Sequence, residues 1–364
     1  MSKRLKVCIV ATSLAKGGAE RSSALLSHML NKSGYEIHIV TVLSKVEYDF
    51  SGEHFNLGEL KDRKDTFLGR INRLFVFKKY LNKQKFDIII DNRSRNQSYR
   101  EFIITKFIYN VPTIYVLHNF KTSRVFTKYN WLNKYLYKNE YMTAVSEAAK
   151  NKFENIFGLK KIKTMYNGFN FKDIKTNALS KEVEIKDKYV IFYGRIDDEH
   201  KNLKLLIDAY NGSKLPEENV KLLILGDGED YEKIVNYTKE LNLEPHIIFK
   251  GFVPNPYPYV KEALFMLLSS RFEGFPMVIP EALSLDVPVV SVDCESGPKE
   301  IIKNKFNGLL VQNFNVNALS KAMNSFIFDE PLYQLCKGNA KKSVLHLDSE
   351  VISEKWKQLI TEII

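Results

Sequence analysis

Apolar residues along the chain fall into short runs separated by longer stretches of helical spacing. Leu5–Ala11 reads L-K-V-C-I-V-A, a nearly continuous β-branched run of the kind carried by a strand buried on both faces. Runs of the same character predict strands at Glu36–Leu43, Phe86–Asp91, Thr113–Leu117 and Tyr141–Ser146. Helical patterns run up to Leu30, over Arg70–Lys85 and over Glu147–Phe157, whereas residues 44–68 are polar with no steady period. The second half repeats the plan. Strands are predicted at Tyr189–Tyr193, Val220–Leu225, Ile247–Gly251, Phe265–Leu268, Val287–Asp293 and Gly308–Val311, and helices at Leu203–Tyr210 and Ser349–Ile364. Strand and helix in alternation predict an α/β protein with a doubly wound parallel sheet in each half. Residues 172–187 are polar, charged and aperiodic, which places a linker there. The expected domains are 1–175 and 176–345, followed by a helical segment 346–364.

Phe265–Pro288 combines a strand, a loop and a helix start. The apolar run ends at Leu268, Ser269–Gly274 is a polar loop, and Pro276 is placed to open a helix, where the first-turn N–H has no intrahelical partner in any case. Glu273 sits at the loop tip, and Glu281, seven intervening residues later, falls in the first two turns of that helix. Both carboxylates can then face the crevice at the carboxyl end of the strand, where open α/β sheets bind ligands. The helix N-terminus beside them suits a phosphate. A glutamate in a first turn also simply complements the helix dipole, so spacing alone leaves both readings open. Elsewhere, Gly17-Gly18 joins a strand to a helix without G-x-G-x-x-G, which makes it either a close-approach point for a ligand or a tight turn. G-D-G-E-D at 226–230 reads as a turn and a helix N-cap, because its acids would repel phosphate.

With 364 residues, 45% of them hydrophobic and 27% charged, the chain is long enough for two ordinary globular cores. No apolar run approaches the ~20 residues of a membrane-spanning helix, and M-S-K-R-L-K-V-C-I-V has no signal-peptide pattern, so a cytoplasmic protein is expected. Cys8, Cys294 and Cys336 show no metal-binding spacing. Charge changes the picture most. Residues 1–175 hold 32 basic and 15 acidic residues and the remainder 22 and 28, so the net +11 divides into +17 and −6. An anionic partner of the first half is expected, either nucleic acid or an anionic membrane surface. Lys121–Tyr141, with Arg124, Lys128, Trp131, Lys134 and Tyr135, is either a solvated helix face over a buried one or an interfacial pattern.

The sequence F-E-G-F-P-M-V-I-P-E-A-L around Glu273 and Glu281 resembles the E-x7-E signature of retaining glycosyltransferases of family 4, which have the GT-B fold. The resemblance runs along nearly the whole chain. It takes in G-G-A-E-R (17–21), His118-Asn119, A-V-S-E (144–147), N-G-F (167–169), Y-G-R-I (193–196), K-N-L (201–203), L-G-D-G (225–228), G-F-V (251–253) and V-P-V-V (287–290). With D-C-E-S-G-P-K-E after the signature, the chain looks most like bacterial transferases that build lipopolysaccharide, capsule or lipid-linked glycans. Two departures are expected to alter local helix geometry: Asp286 stands where the family often has Gly, and Pro280 precedes the second Glu.

The resemblance implies two Rossmann-like domains facing a central cleft. Residues 1–175 would bind the acceptor, 176–345 the nucleotide-sugar, and the last helix would cross back to the first domain. Sugar transfer without a metal needs fixed cations on the leaving diphosphate. By resemblance these are Arg195 and Lys201, six positions apart after one strand; on their own they would read as surface charges. Glu273 would reach the donor sugar's hydroxyls, and the Gly274-Phe275-Pro276-Met277 backbone would approach sugar and phosphate. Glu281 would bond the ribose, and Phe252-Val253 would flank the base. Gly17 and Gly18 would approach the phosphate or acceptor side. His118 would lie near the anomeric centre or the donor 6-position, or else is a packed strand-end residue. In this fold retention is thought to proceed by attack on the leaving-group face, so no protein nucleophile is assigned.

The expected activity is transfer of a hexose or N-acetylhexosamine from a UDP-sugar to a membrane-associated saccharide of lipopolysaccharide, capsule or lipid-linked glycan synthesis. No metal or other cofactor and no nucleic-acid partner is expected. The basic half would hold the protein peripherally at the cytoplasmic face of the inner membrane. The alternatives are a nucleotide-sugar 2-epimerase of the same fold and a non-catalytic basic protein that binds nucleic acid or membrane.

Overall fold

The computed structural model describes residues 4–15 and 17–364. The chain forms two compact units, one of residues up to Gly168 together with Ser349–Ile364, the other of Phe169–Asp348. In the first unit seven strands are β1 (Lys6–Ala11), β2 (Glu36–Thr41), β3 (Glu53–Asn56), β4 (Ile88–Asp91), β5 (Thr113–Leu117), β6 (Tyr141–Ala144) and β7 (Lys161–Thr164). They pair in parallel in the order β3-β2-β1-β4-β5-β6-β7. The central β1 is paired on both edges and covered on both faces, so Val7, Cys8, Ile9 and Val10 are fully buried. That is why its sequence is a continuous apolar run and not an alternating one.

Residues 44–68, read as having no regular element, hold β3 and a short helix, Gly58–Arg63. β3 reads E-H-F-N, pairs only with β2, and buries none of its residues completely. A polar edge strand leaves no hydrophobic periodicity to detect.

The second unit has β8 (Tyr189–Tyr193), β9 (Lys221–Leu225), β10 (Ile247–Gly251), β11 (Met266–Leu268), β12 (Val289–Asp293) and β13 (Gly308–Gln312), in the parallel order β10-β9-β8-β11-β12-β13. Its core gathers Phe192, Leu206, Leu222, Ile224, Leu267, Val290 and Met323. β12 starts two residues later than the apolar run, after Pro288, which has no N–H to give the ladder. Strand order reverses between β8 and β11, so the loops leaving these two strands diverge and open a crevice at the carboxyl edge.

The expected linker is partly helical. Phe171–Ala178 forms a helix in which Asn170 accepts from the Asp173 N–H and Phe171, Ile174 and Ala178 are buried. Three apolar residues among lysines, asparagine and aspartate were too few to show a period. The 175/176 boundary therefore falls inside a helix, and the units divide at Gly168/Phe169. The last helix, Ser349–Ile363, belongs to the first unit, where it packs on the helix Gly18–Lys32 and buries Ile352, Trp356, Leu359 and Ile360. Among the described residues no helix is long and apolar enough to cross a membrane.

Candidate active site

The loops at the β8/β11 switch of the second unit hold most of the singled-out residues. After β8, Gly194 turns the chain and presents Arg195, whose side chain is 52% exposed and only 3.8 Å from Asp197 Oδ2. Asp197 caps the one-turn helix Asp198–Lys201 by accepting from the His200 N–H at 3.2 Å. Asn202, in the left-handed region with φ 53°, ends that turn and directs the next helix, Leu203–Asn211, away. The β9 turn is locked against the β8 turn. A Cβ on Gly226 would lie 1.8 Å from the Gly194 carbonyl oxygen, and one on Gly228 2.1 Å from that of Ile196. The glycines of G-D-G thus serve backbone-to-backbone packing. The expected turn and N-cap are there, with Asp230 at the cap position of the helix Tyr231–Glu240, but its carboxylate makes no cap bond to that helix and instead accepts from the Asp198 N–H at 2.7 Å.

The loop after β11 is tied to that same one-turn helix. Ser269 Oγ donates to the Lys201 carbonyl (2.8 Å), and the Arg271 N–H to the His200 carbonyl (2.9 Å). Lys201 Nζ and Ser270 Oγ both donate to Glu273 Oε1, each at 2.7 Å. The far side of the loop rests on the turn after β12, where the Glu273 N–H donates to the Glu295 carbonyl and Ser296 Oγ to the Gly274 carbonyl. Gly297 has φ 96°, and a Cβ there would meet Pro276 Cδ at 2.5 Å. Gly274, Phe275, Pro276 and Met277 are all buried in this arrangement.

Pro276 does not open the helix as expected. The helix is Val278–Ser284, with Met277 at its cap, Pro280 in its first turn and Glu281 one residue further. Glu281 is fully buried, and the Tyr193 hydroxyl is shared between the Val278 carbonyl (2.8 Å) and Glu281 Oε2 (3.2 Å). Asp286, two residues past the helix, has φ 61°. This is the left-handed position that favours glycine, and aspartate tolerates it better than most residues.

Electrostatics set the protonation of this cluster. Burial alone would raise the Glu273 carboxyl, but the Lys201 ammonium outweighs it, helped by His200 in the acid range where its ring is charged and by the Ser270 hydroxyl, and the group is held below the ordinary glutamate value. His200 moves to about 4, mainly because burial disfavours its charged form. At neutral pH the imidazole is therefore uncharged, and Lys201 carries the balance against Glu273. The His200 Nε2–H donates to the Phe272 carbonyl at 2.8 Å, the ring stacks on Phe272 at 4.5 Å, and Nδ1 is buried without a partner. His200 was missed in the sequence. Its only signal was its place next to Lys201, because its burial comes from a residue far along the chain. Phe252 and Val253 follow Gly251 at the end of β10; Phe252 is 70% exposed and Val253 half-buried.

The other three expected site residues, Gly17, Gly18 and His118, belong to the first unit. Gly18 begins the helix Gly18–Lys32 and Gly17 caps it with an extended φ of −170°, a conformation open to any residue; what a side chain there would meet is the Glu20 carboxylate, 2.1 Å away. His118 follows β5 and lines a small cavity with Ser22, Asn92 and Asn167. Burial, and then the Arg95 charge, push it down to about 3, and its Nε2 is buried without a partner. Beside it lies a buried ionic cluster absent from the expectations. Arg93 grips Asp91 (Oδ2 at 2.8 Å) and Glu101 (Oε2 at 3.2 Å), while fully buried Arg95 donates to the carbonyls of Asp91, Arg93 and Val116. The charges of D-N-R-S-R (91–95) follow a buried strand and stay inside.

Two family profiles match the chain end to end with each other. Residues 16–173 match the one described as Glycosyltransferase Family 4, and residues 174–343 the one described as Glycosyl transferases group 1. The chain belongs to glycosyltransferase family 4. The transferase is 29% identical, over 96% of its length and 97% of the relative's, to an N-acetylgalactosamine-N,N'-diacetylbacillosaminyl-diphospho-undecaprenol 4-alpha-N-acetylgalactosaminyltransferase of Campylobacter jejuni. It is 36% identical to the lipopolysaccharide 1,6-galactosyltransferase of Escherichia coli K12, over 44% of this chain and 46% of that one. Among solved structures it resembles HepE of Anabaena in complex with UDP and glucose (TM-score 0.76, 19% identity, 99% and 100% of the two chains). It also resembles the lipopolysaccharide outer core galactosyltransferase WaaB (TM-score 0.71, 21% identity, 99% and 100%). At these identities the structural likeness bears on fold alone, and with the two parallel sheets it identifies the transferase as GT-B.

Proposed function

We propose that the transferase moves a hexose or N-acetylhexosamine from a nucleotide diphosphate sugar, with uridine as the base, to a saccharide acceptor of the lipid-linked or lipopolysaccharide class. The observation that carries this reading is the Arg195–Lys201–Glu273 group at the β8/β11 switch, two cations and a buried carboxylate fixed by three loops. Arg195 offers a solvent-facing fork to a diphosphate, and Lys201, with three donors, can keep Glu273 on one and present the others. Fixed cations of this kind stabilise the charge that develops as the glycosidic bond breaks. Glu273, kept ionised by Lys201, accepts hydrogen bonds from donor-sugar hydroxyls, and Glu281 from the ribose.

In this reading the two cations neutralise the leaving group and no metal is required. The configuration is retained by attack from the leaving-group face, with a phosphate oxygen taking the acceptor proton. The relatives named for undecaprenol-linked and lipopolysaccharide substrates favour the acceptor class. The surplus of basic residues before position 175 favours an acceptor presented at an anionic membrane surface.

The test is nucleotide release from a panel of UDP-, GDP- and ADP-sugars. Release of one nucleotide from one sugar is expected, and its loss in Glu281→Ala with folding intact. No release from any donor, together with no donor-induced thermal stabilisation, would overturn the reading.

A further inference from the structure

The first unit has an open groove of about 560 Å³ whose walls are almost entirely apolar, formed by Tyr99, Phe102, Tyr129, Trp131 and Tyr135 among others. Two short helices make it, Ser98–Ile103 and Asn130–Tyr137. The second helix already has a buried side, Leu132, Leu136 and Tyr137, so its opposite side would ordinarily be polar. Instead Trp131 and Tyr135 stand there, 69% and 62% exposed. Phe102 bridges Tyr135 and the exposed Phe107 at ring distances of 6.5 and 5.9 Å. A soluble monomer seldom leaves so many aromatic rings together in water.

The rim is basic. Lys106 Nζ lies 5.0 Å over the Tyr135 ring and Lys128 Nζ 5.0 Å over that of Tyr129. Residues 98–138 contain seven lysines and arginines and one acid, Glu101, which is buried against Arg93 and Arg100. Arg70, which bonds chiefly to Asp65, also comes within reach of Tyr99 and so brings the helix Phe67–Gln84 beside the groove. That helix exposes Phe67, Leu68, Ile71 and Phe75, and residues 66–85 hold six basic residues and no acid; two of the six, Arg70 and Arg73, are paired with Asp65 just before the helix, and four lysines are left over.

We propose that this groove is the membrane-docking site of the transferase, with Trp131, Tyr135, Phe102 and Tyr99 entering the headgroup–acyl boundary of an anionic bilayer. This deepens, and rests on, the reading that the acceptor lies at such a surface. Charge complementarity selects the occupant: rings with a polar edge, rimmed by lysines, in a stretch 98–138 whose one acid, Glu101, is buried, suit the interface of a negatively charged leaflet.

The chain carries its own reporter. Of its two tryptophans, Trp131 is exposed and Trp356 is 4% exposed, so an emission change on vesicle binding comes from Trp131. The full-length protein is mixed with vesicles of phosphatidylcholine alone or with an equal part of phosphatidylglycerol, at low and high salt. Binding to the anionic vesicles with a blue shift, weakened by salt, is expected. In Trp131→Ser/Tyr135→Ser the partition coefficient falls at least about tenfold, as removal of two large apolar surfaces requires. Nucleotide release in solution is unchanged in this variant, which shows that it is folded. Wild-type binding without a blue shift, or equal binding by the variant, would overturn the groove as the docking site and leave the membrane reading standing. No binding to any vesicle would overturn both. Self-association lost in the variant would assign the groove to a second copy and overturn the proposal.

Discussion

Removing the Lys201 side chain should show how the Glu273 carboxylate is held. In Lys201→Met the stem volume is kept, but Glu273, 8% exposed at its side chain, retains only neutral donors such as Ser270 Oγ. Breaking one half of a buried ion pair costs about 3–5 kcal/mol, and the lower figure applies because the lysine side chain is 16% exposed. A loss of about 3 kcal/mol lowers the melting temperature of a unit this size by about 6–12 °C. The pH dependence should change sign. In the wild type the folded carboxyl lies below its ordinary value, so the pair's contribution is complete above the ordinary value and is lost as pH falls from there through the lowered folded value. In Lys201→Met burial is no longer offset, the folded value rises above the unfolded one, and acidification from neutral pH recovers stability relative to wild type. Glu273→Gln on the same background keeps an acceptor for Ser270 and removes the stranded charge, so the double variant should regain about 2 kcal/mol. Calorimetric melting of the four proteins across pH 5–7.5 measures both effects. Additive losses within about 0.5 kcal/mol, or parallel pH profiles, would refute the coupling.

Three further outcomes follow, two at glycines and one at His200. Gly226→Ala places a methyl 1.8 Å from the Gly194 carbonyl at φ 148° and should cost more than about 3 kcal/mol, seen as lost soluble yield or melting temperature. Gly338→Ala, in the helix Glu330–Val344 with nothing within 4 Å, should gain about 0.5–1 kcal/mol and serves as its control. His200, buried neutral, refuses a proton that the unfolded chain accepts, so stability should fall as pH drops from about 6.5 towards 4, by up to roughly 1.4 kcal/mol per unit. His200→Gln should flatten that slope in urea titrations at stepped pH.

Most strands were legible because a parallel strand covered on both faces must be apolar throughout, as in Val7–Val10 and Tyr189–Tyr193. The Glu273 loop was legible for a local reason too, a Gly/Pro-shaped turn directly after such a run. What escaped depends on partners distant in sequence. β3 is held by its pairing with β2 and not by its own residues. Asp91, Arg93 and Glu101 look like surface charges until each is seen to neutralise the others. His200 acquires its role from Phe272, 72 positions away. The basic and aromatic character of Lys121–Tyr141 was visible, but the groove needed Tyr99 and Phe102 from an element with no such signal.

The helix Ser349–Ile363 completes the first unit, yet it is synthesised after the whole of the second. During translation the helix Gly18–Lys32 must therefore wait with one flank bare while some half of the chain emerges and folds ahead of it. The second unit, contiguous in sequence, can mature on the ribosome; the first can close only afterwards. A chain stopped short of Ser349 would carry an intact second sheet and an aggregation-prone first unit, so damage at the carboxyl end should appear as a defect of the amino-terminal sheet.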